Sequence, residues 1–140
     1  LMLALQLWLA LTRMSQRIYI QAQKQEDAEE LLERLMVTYD NLERSFRKSV
    51  RVIKSTMGKI RFSNRSEIMA LAQGPNQIRQ KAASSILIDE AAFHEMLEDA
   101  YRASKPTILG GGRLTMLSSA EEGYMCELVH DRVVMSGIAA

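Results

Sequence analysis

"SSILIDEAAFHE", residues 84–95, carries an apolar run straight into two adjacent carboxylates, Asp89 and Glu90, and then returns to apolar residues. A short run such as Ile86-Leu87-Ile88 suits a strand buried on both faces, as in a parallel sheet. Charge is costly in a core, so the carboxylates mark the point where the strand leaves it. In open α/β sheets ligands collect beyond the carboxyl ends of the strands, which puts Asp89 and Glu90 at the expected site.

The flanking sequence predicts the layers around such a strand. Residues 1–15 read as an apolar helix, "RIYIQA" (17–22) as a strand, and "KQEDAEELLERLMVTYDNLER" as a long helix with its acids toward the N-terminal end. Ala28, Leu31, Leu32, Leu35 and Met36 form the apolar stripe of that helix. The period then falls to two in "SVRVIKS", "GKIRFSN" and "SEIMALA", which predicts short strands or hairpins. "QGPNQIRQKAAS" (73–84) is a loop delivering the chain into "SILI". A helix over about 95–104, stopped by Pro106, a turn at "GGGR" (110–113), a strand in "LTMLSS" and a helix in "EEGYMCELVHDRV" complete the pattern. The expected fold class is α/β, with a mainly parallel sheet and an antiparallel hairpin region.

An apolar strand followed by Asp-Glu is the Walker B pattern. Two carboxylates there suit a nucleotide and a divalent cation: one holds Mg²⁺, directly or through water, and the other orients an attacking water. The same pair after a strand can also simply begin a helix, where the helix dipole favours acids.

The neighbouring residues narrow the choice. "GPNQIRQKAASSILIDEAAFHE" resembles the stretch around Walker B in the large subunits of phage terminases, the ATP-driven DNA-packaging motors. "RIYIQAQKQEDAEELL" and "GKIRFSNRSEIMAL" are similar to the strand-helix and hairpin upstream of it in that family, and "GGGRLTMLSSAEEG" to the coupling strand downstream. The resemblance spans roughly residues 1–130 and implies a three-layer core of the P-loop NTPase (ASCE) type. It also implies roles: Asp89 as the Mg²⁺-associated carboxylate, Glu90 as the catalytic one acting on water that attacks the γ-phosphate of ATP. Ser118 and Ser119 would sit at the tip of the coupling strand, close to Glu90. Arg79 would be a finger reaching a neighbouring subunit's site, although a salt bridge or a DNA contact suits it equally. The implied partners are double-stranded DNA, a portal protein, a terminase small subunit and further copies in a homo-oligomeric ring, in the host cytoplasm at the procapsid portal.

The chain departs from that pattern at Gln80, Arg65 and Ala120, where the family has Gly, Gly and Pro. It also contains no G-x-x-x-x-G-K-[ST] phosphate loop, and the acids after Glu127 reduce to Asp131, too few for a two-metal nuclease. The expectation is therefore residues 1–140 as the central part of an ATPase domain. The phosphate loop would lie before residue 1 and a nuclease domain after residue 140, with ATP hydrolysis a property of the intact parent. A helicase-like P-loop ATPase and a non-catalytic prophage remnant are the other readings.

Composition sets the remaining bounds. Forty-seven per cent apolar and 25% charged residues with a net charge of +1 describe an ordinary globular unit, so any pull toward a polyanion must be local. One such locality is the acid-free stretch containing Arg44, Arg47, Lys48, Arg51, Lys54, Lys59, Arg61 and Arg65, either a phosphate-contacting face or a solvated hairpin. The single cysteine, Cys126, cannot form an internal disulfide, which points to a reducing compartment. The apolar stretch "LMLALQLWLALTRM" (1–14) is interrupted by Gln6 and too short to span a bilayer, and no membrane partner is expected. His94 and His130 lack partners at metal spacing and read as structural. Trp8 reads as a core anchor, and Met96, Met116 and Met125 as core filling.

Overall fold

The computed structural model describes residues 1–74, 78 and 82–130. Its centre is a six-stranded sheet whose spatial order is β2-β3-β4-β1-β5-β6. The strands are β1 (Arg17–Ala22), β2 (Val52–Thr56), β3 (Lys59–Phe62), β4 (Glu67–Ala72), β5 (Ser85–Ile88) and β6 (Arg113–Met116). β1 is parallel to both β4 and β5, and β5 is parallel to β6. β3 joins β4 and β2 in antiparallel fashion, forming the expected hairpin region at one edge.

Both faces of the parallel strands are covered, and the side-chain alternation shows how. On one face Ile18, Ile20, Ile68, Ala70 and Leu87 pack with α1 (Met2–Thr12) and α2 (Gln25–Asp40) through Leu7, Leu9, Ala28, Leu32 and Leu35. On the other, Tyr19, Leu71, Ile86 and Ile88 pack with α4 (Leu97–Leu109) through Leu97, Ala100 and Ala103. α5 (Tyr124–Val129) adds Tyr124 and Met125 to that second layer. This is a three-layer α/β/α arrangement, and it explains the apolar runs Ile18–Ile20 of β1 and Ile86–Ile88 of β5.

Several local expectations change. The residues from Arg44 to Ser49 form a short helix, α3, so the period-two region begins only at Val52. Pro106 does not stop α4, which continues to Leu109. Pro106 and Arg102 are both exposed, so the carbonyl that proline cannot serve lies on the hydrated side of the helix. Gly110 then donates its N–H to the Pro106 carbonyl at 3.0 Å and closes the last turn. Trp8 is 54% exposed and Met96 44% exposed, so neither is core. Trp8 lies on the outer side of α1, whose inward positions are Gln6, Leu7, Leu9 and Ala10. Met96 precedes α4, whose first inward residue is Leu97. Met116 and Met125 do pack against the second core layer. No helix among the described residues is long and apolar enough to cross a membrane.

Candidate functional site

The carboxyl ends of β1, β4, β5 and β6 lie along one rim of the sheet, as their shared direction requires. Asp89 extends the ladder by one bond, its N–H donating to the Gln21 carbonyl at 2.9 Å. Glu90 then turns into the left-handed region, with φ 50° and ψ 43°. A bulky residue occupies that region at a cost, and such strain collects where a side chain must be aimed. Asp89 is half-buried and Glu90 exposed. Both line a cleft of about 200 Å³ together with Gln23, Asp27, Glu30 and Arg34, the last two joined at 2.7 Å.

The segment after Glu90 is held from three sides. From β6, the Leu117 carbonyl accepts the Ala91 N–H at 2.9 Å and Ser118 Oγ accepts the Ala92 N–H at 3.0 Å. From β1, Gln23 Nε2 donates to the Phe93 carbonyl at 2.6 Å. From the end of β4, Gln73 Oε1 accepts the Glu95 N–H at 3.1 Å. His94 adds an internal tie, its Nε2 lying 2.9 Å from the Asp89 carbonyl. A carbonyl can only accept, so Nε2 carries the proton and Nδ1, which is buried without a partner, presents its lone pair. Burial holds the His94 pKa below its ordinary value, against the opposing pull of the Asp89 carbonyl and carboxylate.

The sequence-predicted residues are thus partly assembled. Asp89, Glu90 and Ser118 meet at one rim, and Ser118 and Ser119 also line a larger cleft of about 500 Å³ walled by Glu121, Glu122, Met125 and Cys126. Arg79 lies outside the described residues. The glutamines do not figure in the sequence reading of the site, whereas His94, which reads as structural, does brace it. Gln21 offered a signal, being a polar residue in an apolar strand: it is fully buried and donates to the Ala72 and Gly74 carbonyls at 2.8 and 3.2 Å.

No group of three or more His, Cys, Asp or Glu side chains among the described residues converges on a metal-sized position. A cation at this rim could take Asp89 as one carboxylate ligand and would complete its shell with water or ligand oxygens.

Comparison with known proteins gives the fold a context. No family model and no curated protein matches the sequence. Among solved structures, the large terminase ATPase domain of a Thermus phage superposes with a TM-score of 0.66 at 13% identity, covering 87% of this chain and 55% of that one. The large terminase of a thermophilic bacteriophage gives a TM-score of 0.63 at 12% identity, covering 91% and 34% respectively. The same large terminase in complex with ADP gives 0.59 at 12% identity, covering 91% and 33%. The chain therefore spans about half or less of these structures, and at such identities the likeness is one of fold: the described residues have the fold of phage large terminase ATPase domains.

Proposed function

We propose that this chain is the central part of a terminase-type ATPase domain and that Asp89 and Glu90 are its Walker B carboxylates. The observation that carries the reading is the position of the pair at the carboxyl end of β5, with the end of β6 bonded to the residues directly after it. In that reading Glu90 accepts a hydrogen bond from water and aligns it for in-line attack on the γ-phosphate of ATP. The αL turn supports this role, because it takes the Glu90 side chain out of the strand's alternation and into solvent beside the cleft. Asp89 associates with Mg²⁺, which when bound neutralises charge on the phosphate oxygens. Ser118, fastened to the Ala92 amide, transmits a shift of the Glu90 segment to β6, and Ser119 follows it.

The direction of α1 fits the same scheme. A short turn connects it to the start of β1, so its N-terminus points back toward the carboxyl rim. A phosphate loop preceding α1 in the parent protein would therefore enter beside Asp89 and Glu90. The ADP bound to the thermophilic bacteriophage terminase supports nucleotide as the ligand class. Double-stranded DNA, a portal, a small subunit and a ring of copies belong to the same proposal for the parent protein, as does a following nuclease domain.

The test is ATP turnover by the protein with its flanking sequence, compared with Glu90→Gln. The expected result is a loss of turnover of about 10²–10⁴-fold with nucleotide binding retained, the range for a residue that aligns or deprotonates the nucleophile. Undiminished turnover would remove Glu90 from the mechanism.

A further inference from the structure

The topology sorts the charges of this chain by height along the strands. At the carboxyl rim and the helix ends above it acids predominate, with Glu26, Asp27, Glu30, Asp89, Glu90 and Glu95 against Lys24 and Arg34, the latter paired with Glu30. The opposite rim, where the parallel strands begin, collects arginines from separate parts of the sequence. Arg17 opens β1 and Arg113 opens β6. Arg51 immediately precedes β2, which runs in the same direction as β4 because both are antiparallel to β3. Arg65 sits in the β3–β4 turn with φ 68°, and Arg13 follows the last residue of α1.

Local bonds lock this rim together. Asn64 Nδ2 donates to the Ala10 and Arg13 carbonyls at 2.7 and 3.2 Å, and Ser66 Oγ donates to the Arg13 carbonyl at 2.8 Å. Ser63 Oγ accepts the Arg51 N–H at 2.9 Å, and the Ser84 carbonyl accepts the Arg113 N–H at 3.0 Å. Backbone groups make these bonds, so the guanidinium groups are left to the surface. Arg13, Arg17, Arg51, Arg65 and Arg113 are all exposed. Arg13, Arg51, Arg65 and Arg113 form no ion pair among the described residues. The carboxylate at this rim, Glu67, is half-buried and held by Lys59 at 3.2 Å and Arg17 at 3.9 Å. Asp40 ends α2, and Glu43 immediately precedes α3, which carries Arg44, Arg47 and Lys48.

Between Arg13 and Arg113 the rim is concave. A polar cleft of about 280 Å³ is lined by those two arginines, Gln16, Ser84 and the Gly110–Gly112 loop. The loop turns tightly beside that space: Gly111 has φ +88°, and Gly112 packs so closely on the preceding helix that a Cβ there would meet Thr107 Cγ2 at 2.6 Å.

We propose that this arginine rim binds the phosphodiester backbone of double-stranded nucleic acid, with the Arg13–Arg113 cleft seating a phosphate. Guanidinium groups with no carboxylate partner are the expected ligands of phosphate oxygens. Binding at this end leaves the Asp89–Glu90 rim free, since Arg113 is level with Ser85, four residues before Asp89, a separation of roughly 13 Å at about 3.3 Å per residue. The inference rests on the proposed function only in the choice of DNA as the probe.

The experiment measures binding of a fluorescent mixed-sequence DNA duplex to the protein, without nucleotide, across a series of salt concentrations. Arg13→Gln with Arg113→Gln should weaken binding by about tenfold or more at low salt and flatten the slope of log K against log salt by about 2, close to 0.9 per phosphate contact. Lys24→Gln with Arg102→Gln, exposed residues that precede α2 and lie on α4, should leave both quantities near the parent values. Unchanged binding in the rim variant, or a loss confined to the Lys24/Arg102 variant, overturns the proposal. So does a rim variant that keeps its DNA affinity but shows a smaller mass by sedimentation, which would make the acidic rim of a second copy the partner. If the Arg13/Arg113 variant melts early, Arg51→Gln with Arg65→Gln supplies the same reading from the other half of the rim. Because no ATP is present, failure of Glu90 as a catalytic residue leaves this measurement intact.

Discussion

The Ala92 amide donates to Ser118 Oγ at 3.0 Å, so the end of β6 is fastened to the turn directly after Glu90. Ser118 is exposed and its hydroxyl is the side of the bond that mutation can remove. Ser118→Ala should cost about 0.5–1.5 kcal/mol of stability, the usual worth of one such bond. In the proposed ATPase it should lower kcat more than it changes nucleotide affinity, and Ser118→Thr should restore most of the loss. Equal effects on kcat and affinity would show that the bond merely supports the fold.

Glu90 pays for its position with a left-handed backbone, φ 50°. Glu90→Ala and Glu90→Gly remove the same carboxylate, so their difference isolates the backbone. Glycine enters this region without the Cβ clash, which costs about 1–2 kcal/mol for other residues. Part of that gain is lost because glycine loosens the unfolded chain. Glu90→Gly should therefore unfold at a higher denaturant concentration than Glu90→Ala, by about 1 kcal/mol after that offset. An Ala variant at least as stable as the Gly variant would mean that the turn relaxes on mutation.

The Gly110–Gly112 loop makes a sharper steric demand. A Cβ on Gly112 would lie 2.8 Å from the Thr107 carbonyl and 3.0 Å from the Ser84 carbonyl, both backbone atoms. Backbone cannot swing aside as a side chain can, and Gly112 also donates its N–H to that Thr107 carbonyl at 2.8 Å. Gly112→Ala should destabilise by about 1–3 kcal/mol, as overpacking does, read as a lower denaturation midpoint. Gly58, whose nearest contacts are side-chain ends at 3.7 and 3.9 Å, is the control expected to tolerate alanine.

The fold was legible where one face or two faces of a strand set the pattern. Ile86 to Ile88 and Ile18 to Ile20 are buried by helices on both sides, and that produces the uninterrupted apolar runs read as parallel strands. Asp89 and Glu90 were legible for the converse reason, since charge has to leave such a core. Pro106 misled because its rule applies to a helix interior, whereas here it lies in the exposed last turn. The clamps from Gln23, Gln73 and His94 were not legible, because each serves a backbone group more than 20 residues away or across a turn. The arginine rim was hidden for a similar reason: only the fold brings Arg13 beside the turn that carries Arg65 and into one cleft with Arg113.

His94 supplies a pH dependence of definite sign. It is 5% exposed, donates through Nε2 to the Asp89 carbonyl and leaves Nδ1 buried without a partner. Protonation would place a charge at Nδ1 where no acceptor waits, and desolvation accordingly lowers the folded-state pKa below 6.5. The unfolded chain, with an ordinary histidine, then takes up its proton first as the pH falls. The stabilisation is therefore complete above about pH 6.5 and is lost progressively as the pH falls from there through the depressed folded pKa. Urea midpoints at about pH 7.5, 6.5 and 5.5 should fall through this window, before most carboxylates titrate. His94→Gln keeps an amide donor that can reach the Asp89 carbonyl but carries no titrating group. Its midpoints should be nearly level over the same window, and an equal acid loss in the two proteins would assign the effect to other groups.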